Sequence, residues 1–338
     1  VKTDHECTNV KEMAEKLSLG MYIAIREGSA SRDLETLIAG VSEKTERRIT
    51  FCIDDKHPGE ILSEGHIDYN VRRAISLGIE PISAIQMATL NTAECYHLRD
   101  IGAIAPGYDA DLIVLNDLEK FDILQVYKKG IMVAENGKAL FQVEKPDISA
   151  VIDTVSIGEI NASDLEIRMK SDIARVIRMN PKSLHTESVV RKVSVDEEGR
   201  FIANKYIDIV KMAVIERHGK SGTIGLGLIE NFKMKGGAIA TTIAHDSQNL
   251  SLLGDNDEDM LLAIDKIRDI QGGIVVTAGG KVRDCLPLPV AGLMSDEPME
   301  VVAKKIADIT RIIYKELGAN RDTDPLMTLS FLALPVIP

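Results

Sequence analysis

Tryptophan is absent from these 338 residues, and aromatic side chains of all kinds make up only 4 % of them. Few platforms are therefore left on which the bases of a single strand can stack. Positive charge is also short: 40 Lys and Arg stand against 52 Asp and Glu, a net charge of -12. Such a chain has no basic excess to displace counterions from a phosphate backbone or to hold an anionic bilayer. Nucleic-acid and membrane-surface partners are disfavoured on that ground. No apolar run approaches the roughly 18 residues of a transmembrane helix. The four cysteines, Cys7, Cys52, Cys95 and Cys285, are scattered without a C-x-x-C pair. That argues against a zinc knuckle or a disulfide framework and fits reduced thiols in a cytoplasmic setting. The N-terminus carries no signal-peptide core.

What is present divides into parts, as a chain of this length should. Residues 1–98 alternate helical and extended patterns. Met13, Ala14 and Leu17 share one helical face, and Gly20 suits the helix end. Met21–Arg26 and Arg48–Ile53 read as buried strands, with a helix carrying Leu34, Leu37 and Ile38 between them. Helices are expected over roughly 67–77 and 83–98. Near-continuous apolar strands alternating with helices predict a parallel sheet, hence an α/β fold. Residues 99–145 read as a small β module, with Asn136-Gly137 as a hairpin turn. From residue 146 onward, runs of strand candidates with two helices set apart, 257–270 and 298–317, predict an α+β unit.

Three successive strand ends carry chemistry. His5 precedes the first helix, Arg26-Glu27 closes the next strand, and Asp54-Asp55 closes the third. In parallel α/β folds the C-terminal strand ends face the reaction crevice. The His5-to-Asp54 spacing fits two strand–helix units of a barrel at roughly 30 residues or fewer each. A solvated turn histidine and a turn-capping aspartate are the bland alternatives. Other patterns fail. Gly219-Lys220-Ser221 resembles the close of a phosphate loop, but Val214 stands where the earlier glycine is required. His245-Asp246-Ser247 has the residue types of a hydrolase triad, yet adjacent residues rarely converge on one reacting atom. Cys52 reads as core.

Several segments together resemble adenine deaminases of the amidohydrolase superfamily: Thr3-Asp-His-Glu6, Gly20-Met-Tyr-Ile-Ala-Ile-Arg-Glu-Gly-Ser29, Phe51-Cys-Ile-Asp-Asp-Lys-His-Pro58 and Glu64-Gly-His-Ile-Asp68. Ala105-Pro-Gly-Tyr-Asp-Ala-Asp-Leu112 is shared more widely among amidohydrolases, whereas the stretches Gly236 to Ser247 and Leu286 to Leu293 are similar to the deaminases' own C-terminal domain. The resemblance implies the C-terminal portion of a (β/α)8 metal-dependent hydrolase barrel over 1–98, corresponding to strands six to eight. It implies part of a small β-sandwich over 99–145 and an α+β C-terminal domain over 146–338.

The implied chemistry is hydrolysis of adenine to hypoxanthine and ammonia, in purine salvage, at a centre of two divalent metal ions, manganese or iron. On this chain His5 and Asp54 match metal ligands, and Asp54 also matches the proton shuttle. Glu27 and Ser29 fall in matching segments and are expected near the substrate, in an assembly of identical chains. The superfamily's His-x-His pair, bridging carboxylate and further histidine have no counterpart and would lie before Val1. The chain is therefore expected to be an incomplete enzyme. Two alternatives stay open: another amidohydrolase acting on a cyclic amide, and a non-catalytic part that needs a partner.

Overall fold

The computed structural model describes residues 1–181, 185–204 and 206–334. They form two compact units, Val1–Lys145 and Pro146–Pro338.

In the first unit, β1 (Thr3–Asp4), α1 (Val10–Ser18), β2 (Tyr22–Arg26), α2 (Leu34–Leu37) and β3 (Ile49–Cys52) alternate. The strands pair in parallel in the order β1-β2-β3. Asn9 caps α1 by accepting the Glu12 N–H. Ile23, Ile25, Ile49 and Phe51 point to one face of the sheet, where Met13, Leu34, Leu37, Val71 and Ala74 cover them. This burial at every second strand position is what commits Arg26 to the opposite face.

Helices α3 (Pro58–Glu64), α4 (Ile67–Ser76), α5 (Pro81–Ala88) and α6 (Leu90–Tyr96) follow. The helix expected to run unbroken over 83–98 is in fact two. At Thr89 the backbone leaves helical geometry (φ -123°, ψ -85°) while its hydroxyl donates back to the Ile85 carbonyl at 2.7 Å. The break aims Asn91 at the carbonyls of Glu46 and Ile49, at 2.7 and 3.0 Å, which anchors α6 to the start of β3. An antiparallel meander closes the unit: β4 (Leu112–Leu115), β5 (Ile123–Lys128), β6 (Ile131–Glu135) and β7 (Lys138–Ala139). Asn136 and Gly137, both at positive φ, form the two-residue turn between β6 and β7.

The second unit contains β8 (Ile173–Met179), β9 (Thr186–Lys192), β10 (Ser194–Val195), β11 (Phe201–Ile202), β12 (Ile209–Ile215), β13 (Ile224–Glu230), β14 (Gly237–Thr241) and β15 (Leu250–Gly254). After them come α7 (Asp257–Asp269), β16 (Gly273–Ala278), β17 (Val282–Pro287), α8 (Met299–Glu316) and α9 (Pro325–Phe331). Eight strands make one sheet in the order β17-β16-β14-β15-β12-β13-β8-β9, antiparallel except where β13 meets β8. Ile239, Leu253 and Val276 face α8 and α9, whereas Ala238, Ala240 and Val275 face Met260, Ala263 and Ile264 of α7. Helices on both faces explain why β12, β14 and β15 are apolar at almost every position.

Strands β8 and β9 escaped the sequence reading. Arg175 and Arg178 interrupt the apolar pattern of β8, and Arg191 that of the edge strand β9; Arg178 and Arg191 both reach Glu230 of β13, each Nε at 2.7 Å.

Candidate active site at three strand ends

Strand β2 lies between β1 and β3, so the three polar strand ends converge. Arg26, opposite Cys52 in the register, projects from the face that the helices leave uncovered. Its guanidinium is almost wholly enclosed yet meets three carboxylates. Nε donates to Asp33 Oδ2 at 3.0 Å, and Nη1 donates to Glu6 Oε2 at 2.9 Å and to Asp54 Oδ2 at 3.4 Å. Burial works against the charge, but Glu6, Asp33 and Asp54 outweigh it and raise the Arg26 pKa. His5 joins the cluster through Glu6, Nε2 to Oε1 at 3.1 Å. The side chains of His5 and Asp54 remain 50 % and 36 % exposed, open to a ligand or to further chain. The structure thus brings together His5 and Asp54, which the sequence singled out. With them it gathers Arg26, which closes the strand between, and it adds the carboxylates of Glu6 and Asp33.

Glu27 and Ser29 turn elsewhere. Glu27, one residue beyond Arg26, takes the opposite parity and lines an open cavity of about 500 Å³ with Arg32, Glu35, Tyr69, Arg72 and Arg73. Burial raises its pKa, with Arg32 pulling the other way. The Ser29 hydroxyl bonds Glu60 and accepts the His57 N–H at 2.8 Å. Asp55, the second acid of the strand end, accepts the N–H groups of Ser29 and Ala30 at 3.0 and 2.9 Å, so its role is to fold this loop.

Gly28 is what lets Asp55 in, because a β-carbon there lands 1.7 Å from Asp55 Oδ1 and 2.8 Å from the Ile53 carbonyl. Gly28→Ala is expected to expel Asp55 from the loop and destabilise the first unit by about 1–3 kcal/mol, the usual cost of overpacking. Amide exchange at residues 28–30 and a denaturation curve check it.

Cys52 is no nucleophile: burial, reinforced by Asp54, pushes its thiol up to about 12. His245–Ser247 is a turn whose groups do not form a triad. The His245 ring packs on Phe331 at 4.5 Å, and the Ser247 carbonyl, not its hydroxyl, meets His218 Nε2 at 3.1 Å.

The loop around Gly219-Lys220-Ser221 is filled by the chain itself. Glu216 accepts the N–H groups of His218, Lys220, Ser221 and Gly222 at 2.5 to 3.1 Å. Desolvation alone would raise the Glu216 pKa, but the amides of Ser221, Gly222, His218 and Lys220 hold it down to about 2. A carboxyl depressed in the folded state stabilises the turn above its ordinary value of 4.5 and loses that contribution as pH falls towards 2. Amides 218–222 should therefore gain mobility across that window on acidification, and Glu216→Gln should abolish the pH dependence. NMR titration of these amides reads both.

Among the described residues no group of three or more His, Cys, Asp and Glu is placed to hold a metal ion. His5 and Asp54 offer the nitrogen and oxygen donors that manganese, iron or zinc accepts.

Residues 3–133 match the amidohydrolase family, and residues 183–338 match the adenine deaminase C-terminal domain. Over its full length the chain is 50 % identical to adenine deaminase of Clostridium acetobutylicum, covering 59 % of that protein. It is 46 % identical to adenine deaminase of Nitratidesulfovibrio vulgaris and 45 % to adenine deaminase 2 of Carboxydothermus hydrogenoformans, covering 58 % and 59 % of them. Over its full length the chain is thus similar to adenine deaminases. It spans somewhat under three fifths of the length of these curated relatives. Among solved structures, beta-aspartyl dipeptidase of Fervidobacterium islandicum AW-1 aligns with 40 % of this chain and 38 % of its own, at 19 % identity and a TM-score of 0.33.

Proposed function

We propose that the protein to which this chain belongs hydrolyses adenine to hypoxanthine and ammonia, in purine salvage. The observation that carries the reading is the convergence of His5, Arg26 and Asp54 from adjacent parallel strands onto one open face. In this proposal residues 1–98 are the last strands and helices of a (β/α)8 barrel, 99–145 belong to a β-sandwich, and 146–338 are the deaminase's α+β domain. His5 and Asp54 are two ligands of a centre for two divalent ions, manganese or iron, whose other ligands lie outside the described residues. When bound, the metal makes water acidic enough to lose a proton near neutral pH.

The chain's own part is proton transfer. Asp54 takes the proton of the water that attacks C6 of adenine and returns it to a ring nitrogen or the departing amine. One water is consumed, and its oxygen replaces the amino nitrogen, which leaves as ammonia. Glu27 and Ser29, engaged with Arg32 and Glu60 respectively, act on the substrate only by shaping the loop beyond β2. A cytoplasmic assembly of identical chains belongs to the same proposal. No described helix is long and apolar enough to cross a membrane.

A second reading has one specific observation in its favour: with no three-ligand group among the described residues, the chain by itself is a non-catalytic part. Adenine, guanine and dihydropyrimidines offered to the full-length protein and to this chain, with bound metal counted in each, separate the readings. Hypoxanthine release by the full-length protein is expected. Release from a dihydropyrimidine and none from adenine would assign the protein to cyclic-amide hydrolysis instead. Turnover and two tightly bound ions in the chain alone would refute the non-catalytic reading.

A further inference from the structure

Asp33 occupies the N-cap position of α2, where an aspartate ordinarily accepts a backbone N–H of the first turn. It makes no such bond. Its carboxylate goes instead to Arg26 Nε at 3.0 Å, and its own N–H donates to the Arg26 carbonyl at 3.1 Å. A local preference given up in this way points to a requirement elsewhere, and here the requirement is the orientation of Arg26. With Nε held, the plane of the guanidinium is set and Nη1 forks between the two outer strand ends, to Glu6 from β1 and Asp54 from β3. Glu6 in turn contacts His5 through its other oxygen.

Asp54 has little else to hold it. It lies beyond the end of β3 at φ 45°, in the left-handed region, and Arg26 contacts only its Oδ2. Oδ1 has no hydrogen-bond partner among the described residues.

We infer that Arg26 is a positioning residue for the reaction: clamped by Asp33, it orients the Asp54 carboxylate, leaves Oδ1 free for the proton, and through Glu6 steadies His5. This rests on the proposed proton transfer by Asp54. Lysine does not reproduce this, because its three donors share one nitrogen on a flexible stem, whereas the planar guanidinium of Arg26 holds Asp33 from Nε and Glu6 and Asp54 from Nη1.

The test uses the full-length protein, on whichever of adenine, guanine or dihydropyrimidine the parent hydrolyses. Arg26→Lys is expected to lower kcat by about 10²-fold, the cost of slight misplacement of a reacting group. KM should change by less than roughly threefold, because the loss falls on the transition state and not on substrate binding. Guanidinium ion added to Arg26→Ala should restore part of kcat in a saturable way, which a merely structural loss would not show. Asp33→Ala, which removes the acceptor of Arg26 Nε and leaves Arg26 in place but unclamped, should lower kcat in the same direction with the fold retained by circular dichroism. Unchanged kcat in Arg26→Lys would overturn the inference. So would losses in both Arg26 variants and in Asp33→Ala that simply follow melting temperature, with no rescue by guanidinium. A parent inactive on all the substrates sinks the functional reading itself, and an active parent with indifferent variants sinks only this one.

Discussion

Asp54→Asn in the full-length protein should reduce adenine turnover by at least about 10²-fold, the contribution of one general acid–base group, while leaving the fold intact. An amide neither accepts the proton of the attacking water nor returns it. The fold should survive for two reasons that the structure supplies. Asp54 sits at φ 45°, a region that asparagine tolerates as readily as aspartate. The side-chain carbonyl oxygen of the variant can still accept from Arg26, which also retains Glu6 and Asp33. Steady-state kinetics with ammonia release, alongside circular dichroism of parent and variant, check the expectation. Turnover within tenfold of the parent would remove Asp54 from the mechanism.

Ile239→Ala is expected to cost the second unit about 2–5 kcal/mol, the range for truncating a buried aliphatic side chain and leaving a cavity. Ile239 is fully buried in β14, inside the eight-stranded sheet, on the face packed by Ile309 and Ile313 of α8. Its neighbours Ala238 and Ala240 face α7, so no larger side chain on the strand can swing in to fill the space. Hydrogen exchange resolved along the sequence is the measurement. Protection should fall in β14, β15 and β16, while β2 and β3, which belong to a separate core cluster, keep theirs. Equal losses in both units would mean that the chain unfolds as one cooperative body.

The readings that needed only nearby residues came through well. Periodicity located α1, β2, β3, α7 and α8 to within a few residues, because each buries a face whose apolar spacing is local. Where a residue acts against its own periodicity, the pattern misled. Thr89 sits in a helical stretch, and its hydroxyl competes for a backbone carbonyl and splits the helix. The charged edge strand β9 and its neighbour β8 gave no unbroken apolar run to read, since an edge exposed to water does not require one.

The same division holds at the site. From the sequence alone it follows that His5, Arg26-Glu27 and Asp54-Asp55 close three successive strands, and that neighbours such as Arg26 and Glu27 must face opposite ways. Strand alternation guarantees as much. Which of the two faces the helices would cover is not a local property. It depends on packing among Ile23, Ile25, Ile49, Phe51 and helices as far along the chain as α4 and α5, and that packing sent Arg26 to the open face and Glu27 to the helix side. The partners of Arg26 were undecided for the same reason. Glu6, Asp33 and Asp54 come within reach of one guanidinium only once the β1-β2-β3 register is set, so the tertiary structure alone made that cluster.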